Sequence, residues 1–244
     1  MKIISKKPFI SFKKKNFLTK NFYRELENNF PYKKLKSVVS KNHERFPDED
    51  GKFHFSAKSV HDLMEANIHQ SYIDLFKFFD KKSVKNLFLK MKKKNSSIYD
   101  FFQIRKNIWL PAVKRNFVKD IKTTFQFSYI KHGKINPHTD VVENIMSLML
   151  YMPSEKNSLN TMGTNFYFPK EKPQKKWAYW YSKRILDDQI KSFENDHNKL
   201  NLGFEKNTLV GFCKNMYSWH AVDKIDEDMK MERRSLNIFY VIKQ

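Results

Sequence analysis

The 244-residue sequence predicts a mainly β fold with added helices: a barrel or a two-sheet jelly roll, with a helical region ahead of it. Three observations carry this. Several short runs in the second half are β-branched, aromatic or continuously apolar, and loop residues bound each of them. The first half instead repeats its apolar residues at helical spacing. Twenty-three Phe and eleven Tyr, in a chain that is 40% hydrophobic, supply a core for one large domain and exclude disorder as the main state.

Taken in order, Phe22, Leu26 and Phe30 recur at helical intervals, which predicts a helix over residues 20–29 that Pro31 stops. Residues 40–54 are polar, contain Pro47 and Gly51, and read as a loop. From Ser56 to Phe79, Val60, Leu63, Ile68, Tyr72, Leu75 and Phe79 form a helical stripe. Lys81–Lys94 continues it and ends in a lysine run, read as a solvated helix end. Strands are expected at Thr123–Ile130, Ile145–Met152, Thr164–Phe168, Thr208–Cys213 and Ser235–Ile242. Residues 170–201 form a polar, tryptophan-bearing insertion with a helix over Ser182–Phe193. The chain is therefore expected to divide into a mostly helical support region, 1–118, and a β core, 119–244.

Composition limits the partners. The single cysteine, Cys213, excludes a disulfide framework and any multi-cysteine zinc site. No apolar run is long enough to cross a bilayer, and the basic start has no signal-peptide core, so a cytoplasmic protein is expected. The net charge of +21 could mark nucleic acid as a partner. Lysine supplies nearly all of it, 40 against 7 arginines, and arginine is the usual reader of phosphates and bases. A solvated lysine-rich surface, the product of an AT-rich genome, is favoured over nucleic-acid binding.

Three places in the second half hold residues suited to a metal. In an extended segment, positions i and i+2 share a face, so His138 and Asp140 present an imidazole and a carboxylate to one ion. His220 follows the strand ending at Cys213. Two histidines and a carboxylate form the facial triad of non-haem Fe(II) oxygenases, which leaves three octahedral positions open. A structural zinc site would need a fourth ligand, and none is evident. Arg233 and Ser235, two apart on the last strand, face the same way and can share the remote carboxylate of a chelating dicarboxylate. Arg234 faces away.

The order His-x-Asp, about eighty residues, His, then Arg-x-Ser resembles the 2-oxoglutarate- and Fe(II)-dependent dioxygenases, closest to their prolyl-4-hydroxylase-like branch. Tyr129, nine residues ahead of His138, stands where that branch often has a tyrosine contacting 2-oxoglutarate. Pro137 before His138 matches as well. Met162-Gly163-Thr164-Asn165-Phe166 is similar to the glycine-rich turn of the family, with Met replacing the first Gly and Asn the Thr. The likeness covers residues 121–244, whereas residues 32–120 and 170–201 match no pattern of the family.

The resemblance implies a double-stranded β-helix core, a jelly-roll or cupin-like fold, with a helical N-terminal region. It implies Fe(II) on His138, Asp140 and His220, and 2-oxoglutarate on Arg233 and Ser235 with Tyr129 as a further donor. It also implies consumption of O2, with succinate and CO2 formed as a small-molecule or peptide substrate is hydroxylated. Desaturation and demethylation are alternative outcomes. Halogenation is disfavoured because halogenases of the family lack the carboxylate that Asp140 provides. A basic nucleic-acid-binding protein, or one holding a structural metal on an inactive β-helix, is the reading from another class.

Overall fold

The computed structural model describes residues 2–37, 51–95, 121–141, 143–153, 160–179, 182–226 and 232–242. Thirteen strands among them form two antiparallel sheets. The larger sheet takes β1 (Lys2–Ser5), β2 (Ser11–Lys14), β3 (Lys36–Ser37), β4 (Lys52–Ala57), β5 (Ile121–Ile130), β7 (Asn144–Tyr151), β11 (Thr208–Cys213) and β13 (Arg233–Ile242). Its spatial order is β1-β2-β11-β7-β13-β5-β4-β3. The smaller takes β6 (Gly133–Thr139), β8 (Thr164–Pro169), β9 (Lys183–Arg184), β10 (His197–Asn201) and β12 (His220–Ile225), in the order β10-β8-β12-β6-β9. From β5 to β8 each strand crosses to the opposite sheet, and β11, β12 and β13 repeat the alternation. This is a jelly-roll, double-stranded β-helix arrangement.

The sequence pattern of each strand follows from what covers it. All eight residues of β7 are buried, as expected of a central strand with apolar matter on both faces. Along β5 the faces separate: Phe125 and Phe127 meet the helices, while Gln126 and Ser128 turn toward the other sheet. Four helices in the first half cover that outer face: α1 (Lys20–Asn28), α2 (Val60–Glu65), α3 (Gln70–Asp80) and α4 (Lys82–Asn95). Tyr72 lies edge-on to Phe127 at 4.8 Å, and Phe76 to Phe125 at 4.9 Å. The buried hydroxyls find acceptors, Tyr72 donating to the Leu26 carbonyl at 2.6 Å and Tyr240 to that of Phe79 at 3.0 Å. A second core lies between the sheets, where Phe166 of β8 meets Phe212 of β11 at 5.4 Å.

Several elements differ from expectation. The stripe over 56–79 is two helices, because Ser59 caps α2 by accepting from the Asp62 amide, Asn67 takes a positive φ of 51°, and His69 caps α3. The end of the expected 40–54 loop forms β4, in which Phe53 and Phe55 alternate over Tyr129 and Phe127; residues 38–50 lie outside the described set. The first half thus adds four strands to the larger sheet as well as helices. The insertion holds a helix, α5 (Asp187–Asp196), that starts and ends later than expected, and β10, which extends the smaller sheet along β8. No described helix is long and apolar enough to cross a membrane.

Candidate metal centre and anion pocket

A hairpin creates the first half of the centre. β5 and β6 are joined through Lys131 and His132, and Gly133 takes φ 89°, a conformation that disfavours any side chain. β6 runs back between β9 and β12, and His138 comes to lie directly opposite His220. The two rings are 4.1 Å apart between centroids. Asp140 stands two residues beyond His138, and its Oδ1 is 3.5 Å from His220 Nε2. One ligand atom from each of the three residues falls within 4.8 Å of the other two.

The surroundings prepare these atoms for a cation. His138 Nδ1 is 3.0 Å from the Asn136 carbonyl, and His220 Nδ1 is 3.1 Å from that of Ser218. A carbonyl only accepts, so each Nδ1 carries a hydrogen and Nε2 is the ring nitrogen left for a ligand. Burial, with His220 and the Arg184 guanidinium nearby, pushes His138 well below the ordinary imidazole range, so it is neutral and able to ligate. Burial opposes ionisation of Asp140, but His220, His138 and the Ser147 hydroxyl outweigh it and hold the carboxyl below its usual value. Ser147 donates a hydrogen bond to Oδ2 of that carboxylate.

These residues line a cavity of about 170 Å³ between the sheets. Arg233 lines the same cavity from the first position of β13, with 3% of its surface exposed. Its guanidinium donates to the Met162 carbonyl at 2.9 Å, to Thr164 Oγ1 at 3.3 Å and to Ser235 Oγ at 3.4 Å. It also sits over the rings of Tyr151 and Phe204. Burial lowers its pKa, yet an arginine starts so high that it remains charged. Among the described residues no carboxylate pairs with it. Two larger hollows, of about 710 and 1050 Å³, open beside α2–α4 and α1, and neither contains a histidine.

The structure therefore brings five of the six expected residues together. His138, Asp140, His220 and Arg233 line one cavity, and Ser235 stands beside Arg233. Arg234 points to the opposite face, between Phe30 and Tyr32, with Glu27 at 3.7 Å. Tyr129 is on that opposite face too. It donates to Glu232 at 3.1 Å and packs on Tyr32 and Phe53, because Ser128 and not Tyr129 occupies the inward register of β5. The sequence reading missed Ser147, Thr164 and Arg184, the last facing His138 in register on β9. It also missed Lys52 and His54, cavity residues within the span read as a loop. A single hydroxyl in the otherwise apolar run Ile145–Leu150 was the available signal for Ser147.

The donor set fits a divalent cation of the Fe(II) type: two imidazoles, one ionised carboxylate and room beside them. The buried guanidinium fits the far carboxylate of a dicarboxylate. Comparison with solved structures agrees on the fold. The chain is similar to a Pseudomonas putida prolyl-4-hydroxylase, with 12% identity, a TM-score of 0.54, and 95% of this chain and 92% of that one covered. It is similar to a Trichoplax adhaerens prolyl hydroxylase solved with a hypoxia-inducible-factor peptide fragment, at 9% identity, a TM-score of 0.52, and 95% and 83% coverage. It is also similar to the epimerase SnoN solved with Fe3+, alpha-ketoglutarate and a nogalamycin compound, at 6% identity, a TM-score of 0.53, and 95% and 78% coverage. The shared fold is that of 2-oxoglutarate- and Fe(II)-dependent oxygenases, prolyl-4-hydroxylase-like ones included. No protein-family model and no curated protein sequence matches the chain.

Proposed function

We propose that this chain is an Fe(II)- and 2-oxoglutarate-dependent oxygenase that hydroxylates an unactivated C–H bond of an amino acid, a peptide or another small metabolite. Succinate and CO2 are the coproducts. One observation carries the reading: a His–Asp–His cluster and a buried arginine with no described carboxylate partner line the same cavity. A structural ion would explain the first feature but leave the second without a purpose.

In this reading His138 Nε2, Asp140 and His220 Nε2 hold Fe(II), and Arg233 receives the far carboxylate of 2-oxoglutarate. The hydroxyls of Ser235 and Thr164 lie beside that guanidinium. When bound, the iron and its cosubstrate supply oxygen activation, the chemistry that side chains lack. The chain binds, orients and excludes water. Burial makes the Arg233 charge effective because little solvent screens it. Residues 119–244 carry the chemistry, and the described part of residues 1–118 supports the larger sheet and adds Lys52 and His54 to the cavity wall. The two neighbours solved with a peptide fragment and with a nogalamycin compound support a peptide or small molecule as the substrate class.

The test is succinate release by metal-free protein reconstituted with Fe(II), with and without 2-oxoglutarate, against amino acids, peptides, nucleotides and sugars. The expected result is uncoupled turnover that needs both Fe(II) and 2-oxoglutarate, is raised by one compound class, and is lost in His220→Ala. Release no greater than that of His220→Ala under every condition refutes the oxygenase. Salt-steep DNA binding without turnover would assign the +21 charge to a nucleic-acid partner instead.

A further inference from the structure

The three candidate ligands are held in different ways. His138 lies inside β6 and His220 opens β12, so paired backbone fixes both, and a carbonyl fixes each ring. Asp140 comes after the last paired residue of β6, and Val141 beyond it is 46% exposed. Strand pairing therefore does not set its side-chain angle. The hydroxyl that reaches it comes from the other sheet: Ser147 of β7, between Phe239 of β13 and Phe212 of β11.

A hydroxyl buried among phenylalanines is costly unless it is hydrogen-bonded. Ser147 is 2% exposed, and its partner is Asp140 Oδ2. The other carboxylate oxygen, Oδ1, is the one that approaches His220 Nε2. The two oxygens are thus divided, one toward the larger sheet and one toward the histidines.

We propose that Ser147 is a positioning residue for the metal centre, holding Oδ2 of Asp140 so that the carboxylate presents Oδ1 to a cation shared with His138 and His220. This rests on the reading of the cluster as a metal site. It adds that the larger sheet, which contributes no ligand, sets the geometry of the ligands on the smaller one. A free carboxylate would rotate, and binding a cation would then have to fix it.

The test is a Mn(II) titration of the metal-free full chain, followed by the electron paramagnetic resonance signal of free Mn(II). It compares wild type, Ser147→Ala, Ser147→Thr and His220→Ala, with circular dichroism and thermal unfolding for each. Loss of an outer-shell partner typically weakens metal binding about 10- to 100-fold, and that loss is expected for Ser147→Ala. Ser147→Thr keeps the hydroxyl and should stay within about threefold of wild type, a rescue that a merely structural role for the hydroxyl would not give. Should Ser147→Ala lose its thermal transition, Ser147→Cys, nearly isosteric but a weak donor, takes its place with the same expected loss. A folded Ser147→Ala that binds Mn(II) like wild type overturns the proposal and leaves the metal site standing. Equal weakening by Ala and Thr overturns it too. Wild type binding no better than His220→Ala overturns the metal site itself, and this inference with it.

Discussion

Arg233 and Arg234 are adjacent in sequence and should behave as opposites. Arg233 is buried with no described carboxylate beside it, and two of its three hydrogen bonds are long, at 3.3 and 3.4 Å. Removing one partner of a buried charge pair costs on the order of 2–5 kcal/mol, or roughly thirty-fold to several-thousand-fold in affinity. Arg233→Met should weaken 2-oxoglutarate binding to Mn(II)-loaded protein by at least that lower factor, read by titration calorimetry, while Mn(II) affinity stays near wild type. Stability should move the other way. A desolvated charge without a counter-ion costs an estimated several kcal/mol, and weak hydrogen bonds offset it only partly, so the apo variant should melt no lower than wild type. Arg234→Ala should do the reverse. It leaves the half-buried Glu27 carboxylate with Lys206 as its remaining cation and uncovers Phe30, so it should lower Tm and leave 2-oxoglutarate affinity intact. Arg233→Met that melts lower and binds 2-oxoglutarate normally would show Arg233 to be structural, and the cosubstrate assignment would fail.

Three further outcomes are expected. His220→Ala removes one of the three proposed ligand atoms, so it should weaken Mn(II) binding by more than the roughly 100-fold upper range of outer-shell losses, measured in the same titration. Tyr129→Phe should leave 2-oxoglutarate affinity unchanged, since its hydroxyl meets Glu232 on the helix-facing side; a tenfold loss would restore the cosubstrate contact that the family resemblance implies. At Gly163 a Cβ would meet the Gly203 carbonyl oxygen at 2.5 Å, and the Met162 carbonyl next to it accepts from Arg233. Gly163→Ala should therefore cost about 1–3 kcal/mol by denaturant unfolding and weaken 2-oxoglutarate more than Mn(II).

What the sequence displayed well was period and local order. Strands such as Thr208–Cys213 announce themselves because burial on both faces demands continuous apolar residues, and His138 with Asp140 because two-residue spacing means one face. Register was less legible. Tyr129 and Ser128 are neighbours, and no local feature says which of them faces the cavity; pairing with β13 and β4 decides it. β4 was hidden because Lys52 and His54 look like loop residues until a polar cavity is known to lie on their side. The β10 strand, HNKLN, is polar because it is a mostly exposed sheet edge, where composition carries little signal. Ser147 was visible as a lone polar residue, but its partner comes from the other sheet and no spacing rule connects them.

The first half of the chain shares a core with the β region. The core that joins it to the β region contains Phe125, Phe127, Leu148, Leu150, Leu236 and Ile238 on the sheet side, covered by α1–α4. At about 1.5–3 kcal/mol for each fully buried large apolar side chain, uncovering these six forfeits on the order of 10 kcal/mol. That equals the whole stability of an ordinary domain, about 5–15 kcal/mol. β4 also pairs with β5 over six positions and puts Lys52 and His54 on the cavity wall. A fragment of residues 119–244 would lose that wall and expose an apolar face of the kind that aggregates. Expressed alone it should be insoluble, or compact without a cooperative thermal transition and with no measurable Mn(II) binding. A soluble fragment that melts cooperatively and binds Mn(II) like the full chain would show that the first half is an independent addition, and that its strands decorate a β-helix already complete without them.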